Sequence, residues 1–348
     1  MTMRALAVVC VWLTVSSAAA YAQSKSDRPE GSEKPRRESK RPTAASRLGV
    51  TTPGVRVPFS EIKAEAELAM APAWVAFTDS VLAPDLAKDA LERINAKTNK
   101  PGDPIGGLHK PCGGAVSAFG SLWVPNCGDG TVARVDPKTG KITATVASGV
   151  GRALPSVAAS ADSVWVLSDD KTTLSRIDPQ QNQVVAELRL PAGCNSLTFG
   201  ESALWVTCPT EDRVLRVDPL ANLVDKRIEV SAQPRALAIG ESSIWVLCQK
   251  EGKVERIDPK TFKVSKSIPL EVPGAEGGIA IGQGSVWVTL AGFPITRIDP
   301  GTDKVVQQFY GDGGGAIQFG LNSVWLTNLK EKTFWRLDPK RIAATLAE

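Results

Sequence analysis

Short apolar runs separated by polar turns recur along the chain from about residue 56 to its end. In one representative unit the runs cover residues 236–239, 243–247, 253–257 and 263–268, and a few polar residues join each run to the next. Runs of this length with hairpin-sized connections predict antiparallel strands rather than helices. A four-stranded unit that repeats roughly every 40 residues is typical of a β-propeller blade.

Two landmarks define the repeat. A tryptophan between aliphatic residues marks the second strand, and an Arg-aliphatic-Asp-Pro segment follows it at a nearly constant interval in six units, as from Trp123 to Arg134. A seventh unit is degenerate, because the interval from Trp74 to Arg93 is longer, so we expect an insertion around positions 82–90. The tryptophans of the seven units are Trp74, Trp123, Trp165, Trp205, Trp245, Trp287 and Trp325. The predicted fold is all-β, a seven-bladed β-propeller of four-stranded antiparallel blades over residues 56–348.

Each recurring residue type suits one position in such a blade. Small residues in the first strand fit the crowded wall of a central channel, and tryptophan is large enough to fill the wedge between neighbouring sheets. The Asp-Pro pair is suited to the turn between the third and fourth strands. Two segments are candidates for closing the ring, a C-terminal fourth strand over residues 342–346 and an N-terminal strand within residues 57–68.

Two segments are predicted to precede the propeller. Residues 1–22 have the features of a secretory signal peptide, with Arg4 before an apolar stretch and Ala20-Tyr21-Ala22 at the cleavage site. Residues 23–55 are predicted to be a disordered polar linker, because residues 23–47 contain almost no aliphatic side chains. We therefore expect a periplasmic or secreted protein with no transmembrane segment after signal cleavage.

The distribution of charge argues against nucleic acid as a partner. The whole chain has 41 Lys and Arg against 37 Asp and Glu. Residues 23–47 hold eight of the basic and four of the acidic residues, so the part assigned to the propeller is close to neutral. A nucleic-acid-binding face needs clustered Lys and Arg on the folded surface, and we expect no nucleic-acid partner.

Four cysteines are placed to form disulfides. Cys112 and Cys127 flank the first two strands of one unit, and Cys194 and Cys208 occupy nearly the same places two units later. In antiparallel neighbours such positions face each other at a distance that a disulfide can bridge. An exported protein lies where such bonds persist, and we predict the pairs Cys112–Cys127 and Cys194–Cys208.

A further cysteine, Cys248, matches the position of Cys208 in the next unit. Its opposite position is held by Pro234 or Arg235, neither of which can form a disulfide. We therefore predict an unpaired, partly buried thiol at Cys248.

Polar residues in the loops between blades are candidates for a binding site. These loops gather around one mouth of a propeller channel, and here they present His109, Arg152, Asn195, Arg235 and Glu276. Polar groups of both charges over a glycine-rich funnel have the general form of a small-ligand or peptide site. We assign no catalytic or metal-ligating residue. His109 is the single histidine of the chain, which excludes a site with several histidine ligands.

The tryptophan-centred strand, the Arg-aliphatic-Asp-Pro turn and the Thr139-Gly140-Lys141 that follows one such turn resemble YVTN-type and streptogramin B lyase-like repeats. The resemblance covers residues 60–348 and implies a seven-bladed propeller. It also implies, for the streptogramin lyases, paired catalytic histidines with acidic metal ligands at the channel mouth. This chain departs from that pattern, since it has one histidine.

Three functions are compatible with the sequence. The leading hypothesis is an exported, monomeric binding or scaffold module that recognises a small ligand or a protein partner at the channel mouth, without a cofactor. The alternative is a lyase or lactonase-like hydrolase at the same mouth, using a divalent metal, with His109, Asn195 and Glu276 as the positions to test. A third hypothesis, a quinone-dependent dehydrogenase, rests on a more distant resemblance to quinoprotein repeats.

Overall fold

Seven mainly antiparallel sheets surround a central channel in the computed structural model, which describes residues 48–151, 156–168 and 172–345. The first strands of neighbouring blades contact one another around the channel, so each first strand is the innermost of its blade. The predicted seven-bladed propeller is confirmed. Arg152 and residues 1–47, which include the predicted signal peptide and most of the predicted linker, lie outside the described residues.

Two short strands, β1 (Arg56–Pro58) and β2 (Ala66–Leu68), precede the blades, with a turn of 3-10 helix (Phe59–Glu61) between them. Blade one is β3 (Ala76–Phe77), β4 (Ser80–Asp85), β5 (Ala90–Asn95) and β6 (Pro101–Ile105). Blade two is β7 (Val116–Ala118), β8 (Ser121–Asn126), β9 (Thr131–Val135) and β10 (Ile142–Ala147). Blade three is β11 (Ser156–Ala159), β12 (Val164–Ser168), β13 (Thr173–Asp178) and β14 (Gln183–Arg189).

Blade four is β15 (Ser196–Gly200), β16 (Ala203–Cys208), β17 (Arg213–Asp218) and β18 (Leu223–Glu229). Blade five is β19 (Pro234–Gly240), β20 (Ser243–Cys248), β21 (Lys253–Asp258) and β22 (Lys263–Pro269). Blade six is β23 (Gly277–Gly282), β24 (Ser285–Leu290), β25 (Phe293–Asp299) and β26 (Lys304–Tyr310). Blade seven contains β27 (Ile317–Gly320), β28 (Ser323–Asn328) and β29 (Thr333–Leu337), followed by helix α1 (Pro339–Ala344).

The tryptophan on the second strand packs between neighbouring blades, as predicted. Six blades have this tryptophan, and in each of them its side chain is at most 1% exposed. The indole N–H is satisfied by the turn that precedes the strand; Trp205 Nε1, for example, donates to the Gly200 carbonyl at 3.0 Å. Both the apolar body and the polar edge of the indole are therefore accommodated. The six residues are Trp123, Trp165, Trp205, Trp245, Trp287 and Trp325.

The predicted insertion in blade one is wrong, because Trp74 is not on the second strand. Leu82 pairs with Arg93, as Trp123 pairs with Arg134 in blade two, so Leu82 occupies the tryptophan position. Trp74 precedes β3 and joins Leu82 in the apolar cluster between blades one and two. An indole thus still fills this wedge, but it comes from another part of the chain.

The N-terminus closes the ring. Strand β2 pairs antiparallel with β29 and completes blade seven, while β1 adds to the edge of blade six in parallel with β26. The predicted C-terminal strand over residues 342–346 is wrong, because residues 342–344 belong to α1 and β2 supplies the fourth strand of the blade. The Asp338 side chain accepts a hydrogen bond from the Lys340 backbone N–H and Pro339 starts the helix, which are both favourable at a helix N-terminus.

In five of the seven blades, an arginine on the third strand links its blade to the next. Arg134 Nη1 donates to the Pro179 carbonyl at 2.6 Å and to Asn182 Oδ1 at 3.0 Å, both in the turn of blade three. Arg336 reaches Ala96 and Asn99 in the same way and so joins blade seven to blade one. These latches, as we call them, recur at Arg93, Arg134, Arg176, Arg256 and Arg336.

The end of the predicted linker lies along blade six. The Gly49 N–H donates to the Glu271 carbonyl and the Val50 N–H donates to Gln308 Oε1, both at 2.7 Å. The Gln308 side chain is fully buried, and its Nε2 donates to the Leu270 carbonyl at 3.0 Å. Within the described ranges, no helix is both long and apolar enough to cross a membrane.

Both predicted disulfides are present, Cys112–Cys127 in blade two and Cys194–Cys208 in blade four. Bonds of this kind persist in oxidising compartments. Cys248 is unpaired and lies opposite Pro234, as predicted. It is fully rather than partly buried, because it lies in the apolar cluster between blades four and five.

The Cys248 thiol is expected to resist thiol reagents in the native protein and to react after unfolding. Burial, together with the neighbouring Glu255 carboxylate, raises the pKa of this thiol well above its ordinary value, and thiolate is the reactive form. The measurement is a thiol count with a chromogenic disulfide reagent in buffer and in urea, without reductant. The Cys248→Ala variant should show one thiol fewer in urea and no difference in buffer. Equal reaction rates for Cys248 in the two solvents would contradict the expectation.

Candidate functional site

The innermost strands enclose a channel cavity of about 940 Å³. Short side chains allow strands from all blades to converge here without collision, which explains why the first strand of each unit is rich in glycine, alanine and serine. The small residues of the described wall are Ala73, Gly113, Gly114, Ala115, Ser156, Ser196, Ala236, Ala238, Gly277, Gly278, Ala280, Ala291, Gly314, Gly315 and Ala316.

Larger apolar side chains narrow the cavity at the end where the first strands terminate. Ile239, Ile281 and Phe319 all line this part of the wall. Each crosses over the glycine that ends the first strand of the preceding blade. A β-carbon at Gly282 would lie 2.1 Å from a ring carbon of Phe319, so the close approach of the two blades requires glycine at this position.

Glu276 is the predicted site residue that lines the cavity. It precedes β23, is exposed, and its backbone carbonyl accepts a hydrogen bond from the Ala291 N–H at 3.1 Å. In the described part of the lining, Glu276 is the one side chain that carries a charge at neutral pH. The other polar side chains of the lining are Ser156, Ser196, Thr198 and Gln318.

The other described candidates lie outside this lining. The His109 side chain is 62% exposed, with its Nε2 3.9 Å from Asp129 Oδ2. Asn195 is half-buried and its Oδ1 accepts a hydrogen bond from Thr207 Oγ1 at 2.8 Å. Arg235 is exposed at a shift of register between β19 and β20. Glu276 thus lines the cavity itself, and Asn195 and Arg235 each directly precede a lining residue, Ser196 and Ala236.

Most side chains of the lining were not assigned from the sequence. Three of those that are large or polar enough to matter for a ligand are Trp74, Thr198 and Gln318. A signal for Trp74 was present, since Leu82 precedes Arg93 by the same interval that separates Trp123 from Arg134. That spacing assigns Leu82 to the second strand and leaves Trp74 before the first. Thr198 and Gln318 have no comparable signal, because the same position, seven residues before the tryptophan, holds alanine or valine in the other units.

The described lining does not fit a divalent metal. Such ions take several oxygen ligands, usually with more than one carboxylate, whereas Glu276 stands alone among glycine, alanine and aliphatic residues. Within the described ranges, no group of three His, Cys, Asp or Glu side chains is placed to hold a metal ion.

Comparisons with known proteins identify the fold. No family model and no curated protein matches the sequence. A selenomethionine-substituted virginiamycin B lyase from Staphylococcus aureus is 17% identical with a TM-score of 0.67, over 78% of this chain and 98% of that one. A streptogramin B lyase is 15% identical with a TM-score of 0.66, over 84% of this chain and 96% of that one.

A third structure is a catalytically inactive histidine-to-alanine variant of virginiamycin B lyase from Staphylococcus aureus with quinupristin. It is 16% identical with a TM-score of 0.67, over 78% of this chain and 98% of that one. At these identities the likeness concerns the fold and not the activity. The chain has a streptogramin B lyase-like seven-bladed propeller fold, as the resemblance of its repeats implied.

Proposed function

We propose that this protein is an exported propeller that binds a small ligand in the mouth of its channel. The observation that carries the proposal is the cavity of about 940 Å³ with a largely apolar wall and a few polar groups. Cavities of this size and composition are typical of small-molecule sites. Two disulfides support export to a periplasmic or extracellular compartment, where such bonds persist.

The wall favours a ligand with an apolar body and one cationic or hydrogen-bond-donating group. Ile279, Ile281 and Phe319 offer apolar surface, and Glu276 offers a carboxylate to a donor. A hydrogen bond to a charged group contributes about 1.5–3 kcal/mol, and the lower end applies here because Glu276 is exposed. The same fold has been solved with quinupristin in a lyase variant, which supports a ligand-binding role for this chain.

A lyase or lactonase-like reaction is the second candidate. Its support is the shared fold with virginiamycin B lyase. The described lining offers such a reaction one carboxylate, Glu276, and His109 is outside the lining. The composition of the wall is therefore more consistent with ligand binding than with catalysis.

The test compares two probes of equal shape, 4-phenylbutylamine and 4-phenylbutanol. Fluorescence of Trp74, the one tryptophan in the described lining, reports binding, and Trp74→Phe should remove that signal. We expect the amine to bind about tenfold more tightly than the alcohol, and Glu276→Gln to remove the difference.

The matched control is Glu211→Gln, which removes one exposed carboxylate outside the lining. It should leave both affinities unchanged. The proposal is wrong if neither probe changes the Trp74 fluorescence. An equal effect of Glu211→Gln would show that the protein's net charge, and not the Glu276 carboxylate, attracts the amine.

A further inference from the structure

One face of the propeller carries a series of exposed cations. They lie in or beside the turns between third and fourth strands. Because strand direction alternates within a blade, these turns are at the opposite end of the channel from Glu276. In blades five, six, seven, one and two the turns carry exposed basic side chains, which we call the basic arc: Lys260, Lys263, Lys304, Lys340, Arg341, Lys97, Lys100, Lys138 and Lys141.

The five turns of the basic arc are consecutive around the ring, as contacts between them show. The latch of blade five reaches the blade-six turn, where Arg256 Nη1 donates to the Pro300 carbonyl at 2.9 Å. Gln307 Nε2 of blade six donates to the Ile342 carbonyl at 2.9 Å. The latches Arg336 and Arg93 then join blade seven to one and blade one to two. The cations therefore form one continuous arc rather than scattered charges.

The lysines of the basic arc are not neutralised by partners. None of the eight forms an ion pair with another residue in the described ranges. On the opposite face, by contrast, Lys88, Lys253 and Lys330 each pair with a carboxylate. An unpaired ammonium on a surface keeps its full attraction for an external anion, subject to screening by salt.

Carboxylates at the same end of the propeller offset part of the charge of the arc. They are Asp136, Asp258, Asp299, Asp303 and Asp338 in or beside the turns, and Asp79 and Glu241 in the loops between first and second strands. The Asp136 carboxylate accepts hydrogen bonds from the backbone N–H groups of Lys138 and Thr139 at 2.8 and 3.2 Å. Asp258 makes the corresponding bonds in blade five. Asp303 is paired with the latch Arg256. Arg341 of the arc is likewise 3.7 Å from Asp338. Nine cations against seven carboxylates, two of which pair with arginines, leave the arc a net positive charge that is smaller than nine.

Blades three and four are different on this face. Their turns carry Gln180, Gln181 and Leu220 in place of lysine. Leu220 is 80% exposed, the largest exposure among the large hydrophobic residues of the described ranges. Blade four adjoins the basic arc, because Lys226 Nζ lies 5.1 Å from the centre of the Phe262 ring in the blade-five turn. The near-neutral charge of the propeller therefore conceals an uneven distribution, with an apolar tip beside an arc of cations.

We propose that the basic arc docks this protein on an anionic bilayer surface, with Leu220 entering the headgroup region. Turns from successive blades of a disc present a broad face, which matches a flat surface. Each basic residue near an anionic membrane contributes about 1 kcal/mol, and an apolar tip adds burial that a polyanion in solution does not offer. Eight of the nine cations are lysine, whose ammonium group is a compact point charge. It lacks the planar guanidinium of arginine, which forms paired hydrogen bonds with bases and phosphates.

The test measures co-sedimentation of the purified protein with vesicles of phosphatidylcholine, with and without one third phosphatidylglycerol. We expect binding to the anionic vesicles alone, weakening as salt is added. Removing four charges of the arc should lower the partition coefficient on the order of a thousandfold at low salt. That variant carries Lys97→Gln, Lys138→Gln, Lys304→Gln and Lys340→Gln.

A matched control removes four charges from the opposite face with Lys88→Gln, Lys110→Gln, Lys250→Gln and Lys330→Gln. It should bind anionic vesicles nearly as well as the unchanged protein. Leu220→Ser should weaken binding severalfold without changing its salt dependence. Thermal unfolding of every variant confirms that the propeller is intact.

Three outcomes would overturn the proposal. The first is equal binding to neutral and anionic vesicles, and the second is an equal loss in both four-lysine variants, which would indicate net charge alone. The third is binding of the arc to double-stranded DNA or heparin without binding to vesicles, which would assign it to a soluble polyanion. None of these outcomes bears on the channel cavity, because neither four-lysine variant changes its lining.

Discussion

A chain that begins at Met70, and therefore lacks β2, is expected to lose most of its folding stability. Strand β2 supplies the fourth strand of blade seven through the pairs Ala66–Arg336 and Leu68–Phe334. Glu65 adds a backbone hydrogen bond to the Arg336 carbonyl at 2.8 Å and an ion pair to its side chain. Without these contacts β29 becomes an unpaired edge, and unpaired edges promote association with other chains.

The measurement is urea unfolding followed by circular dichroism, with size-exclusion chromatography for association. We expect a loss of several kcal/mol, a large part of the ~5–15 kcal/mol typical of native proteins. A chain that begins at Ile62 is the control, because it lacks β1 but keeps β2. It loses the pairing of β1 with β26, the Val50–Gln308 hydrogen bond and the stacking of Phe59 on Trp335, with ring centres 4.9 Å apart. It should still lose less than the chain without β2, because all seven blades keep their four strands. Equal midpoints for the two shortened chains would contradict closure by β2.

The Trp205→Ala substitution is expected to destabilise the propeller by about 3–5 kcal/mol, the usual cost of removing a buried aromatic side chain. Trp205 is fully buried and belongs to the cluster that joins blades four and five, together with Leu237 and Ile244. Alanine would leave a cavity that the rigid blades on either side cannot fill. The measurement is the free energy of unfolding from urea titration.

Two variants separate the parts of this effect. Trp205→Phe keeps an aromatic ring but loses the hydrogen bond to the Gly200 carbonyl, and it should cost less than half as much. Trp335→Ala removes a half-buried indole from an outer position and should also cost less. A loss below about 1 kcal/mol for Trp205→Ala, within the range of a surface substitution, would show that the wedge between blades tolerates a void.

The repeated parts of the fold were predictable because their determinants are local. The tryptophan, the arginine and the Asp-Pro turn lie within one unit and recur in most units. Ring closure has no such signal, since the short strand β2 pairs with a strand near the other end of the chain. The Asp338-Pro339 pair illustrates the limit. The same residues form a hairpin turn in other blades, but here no fourth strand follows in the described part of the chain and they start α1.

For the candidate site, the sequence predicts a region, the loops between blades, more readily than the side chains that line the cavity. Glu276 was assigned from its position between blades, and it lines the cavity. His109 and Asn195 occupy comparable loops, yet His109 lies beside Asp129 and Asn195 is bonded to Thr207. Loop side chains are directed by such short-range partners, and a shift of one position in the loop changes which residue faces the channel. Periodicity specifies the strands, but it does not specify these partners.

The latches give blades one, two and three the same two half-contacts, a guanidinium offered to the next blade and turn acceptors offered to the previous one. A coding segment of roughly forty residues could therefore be copied in tandem, and the copy would be able to join both neighbours without new substitutions. In the described ranges, Arg216 and Arg297 instead bond Asp225 and Gln307 of their own blades. No latch crosses either of these joints. A duplication or deletion that ends there would therefore break no latch, and it would disturb the ring less than one that ends elsewhere.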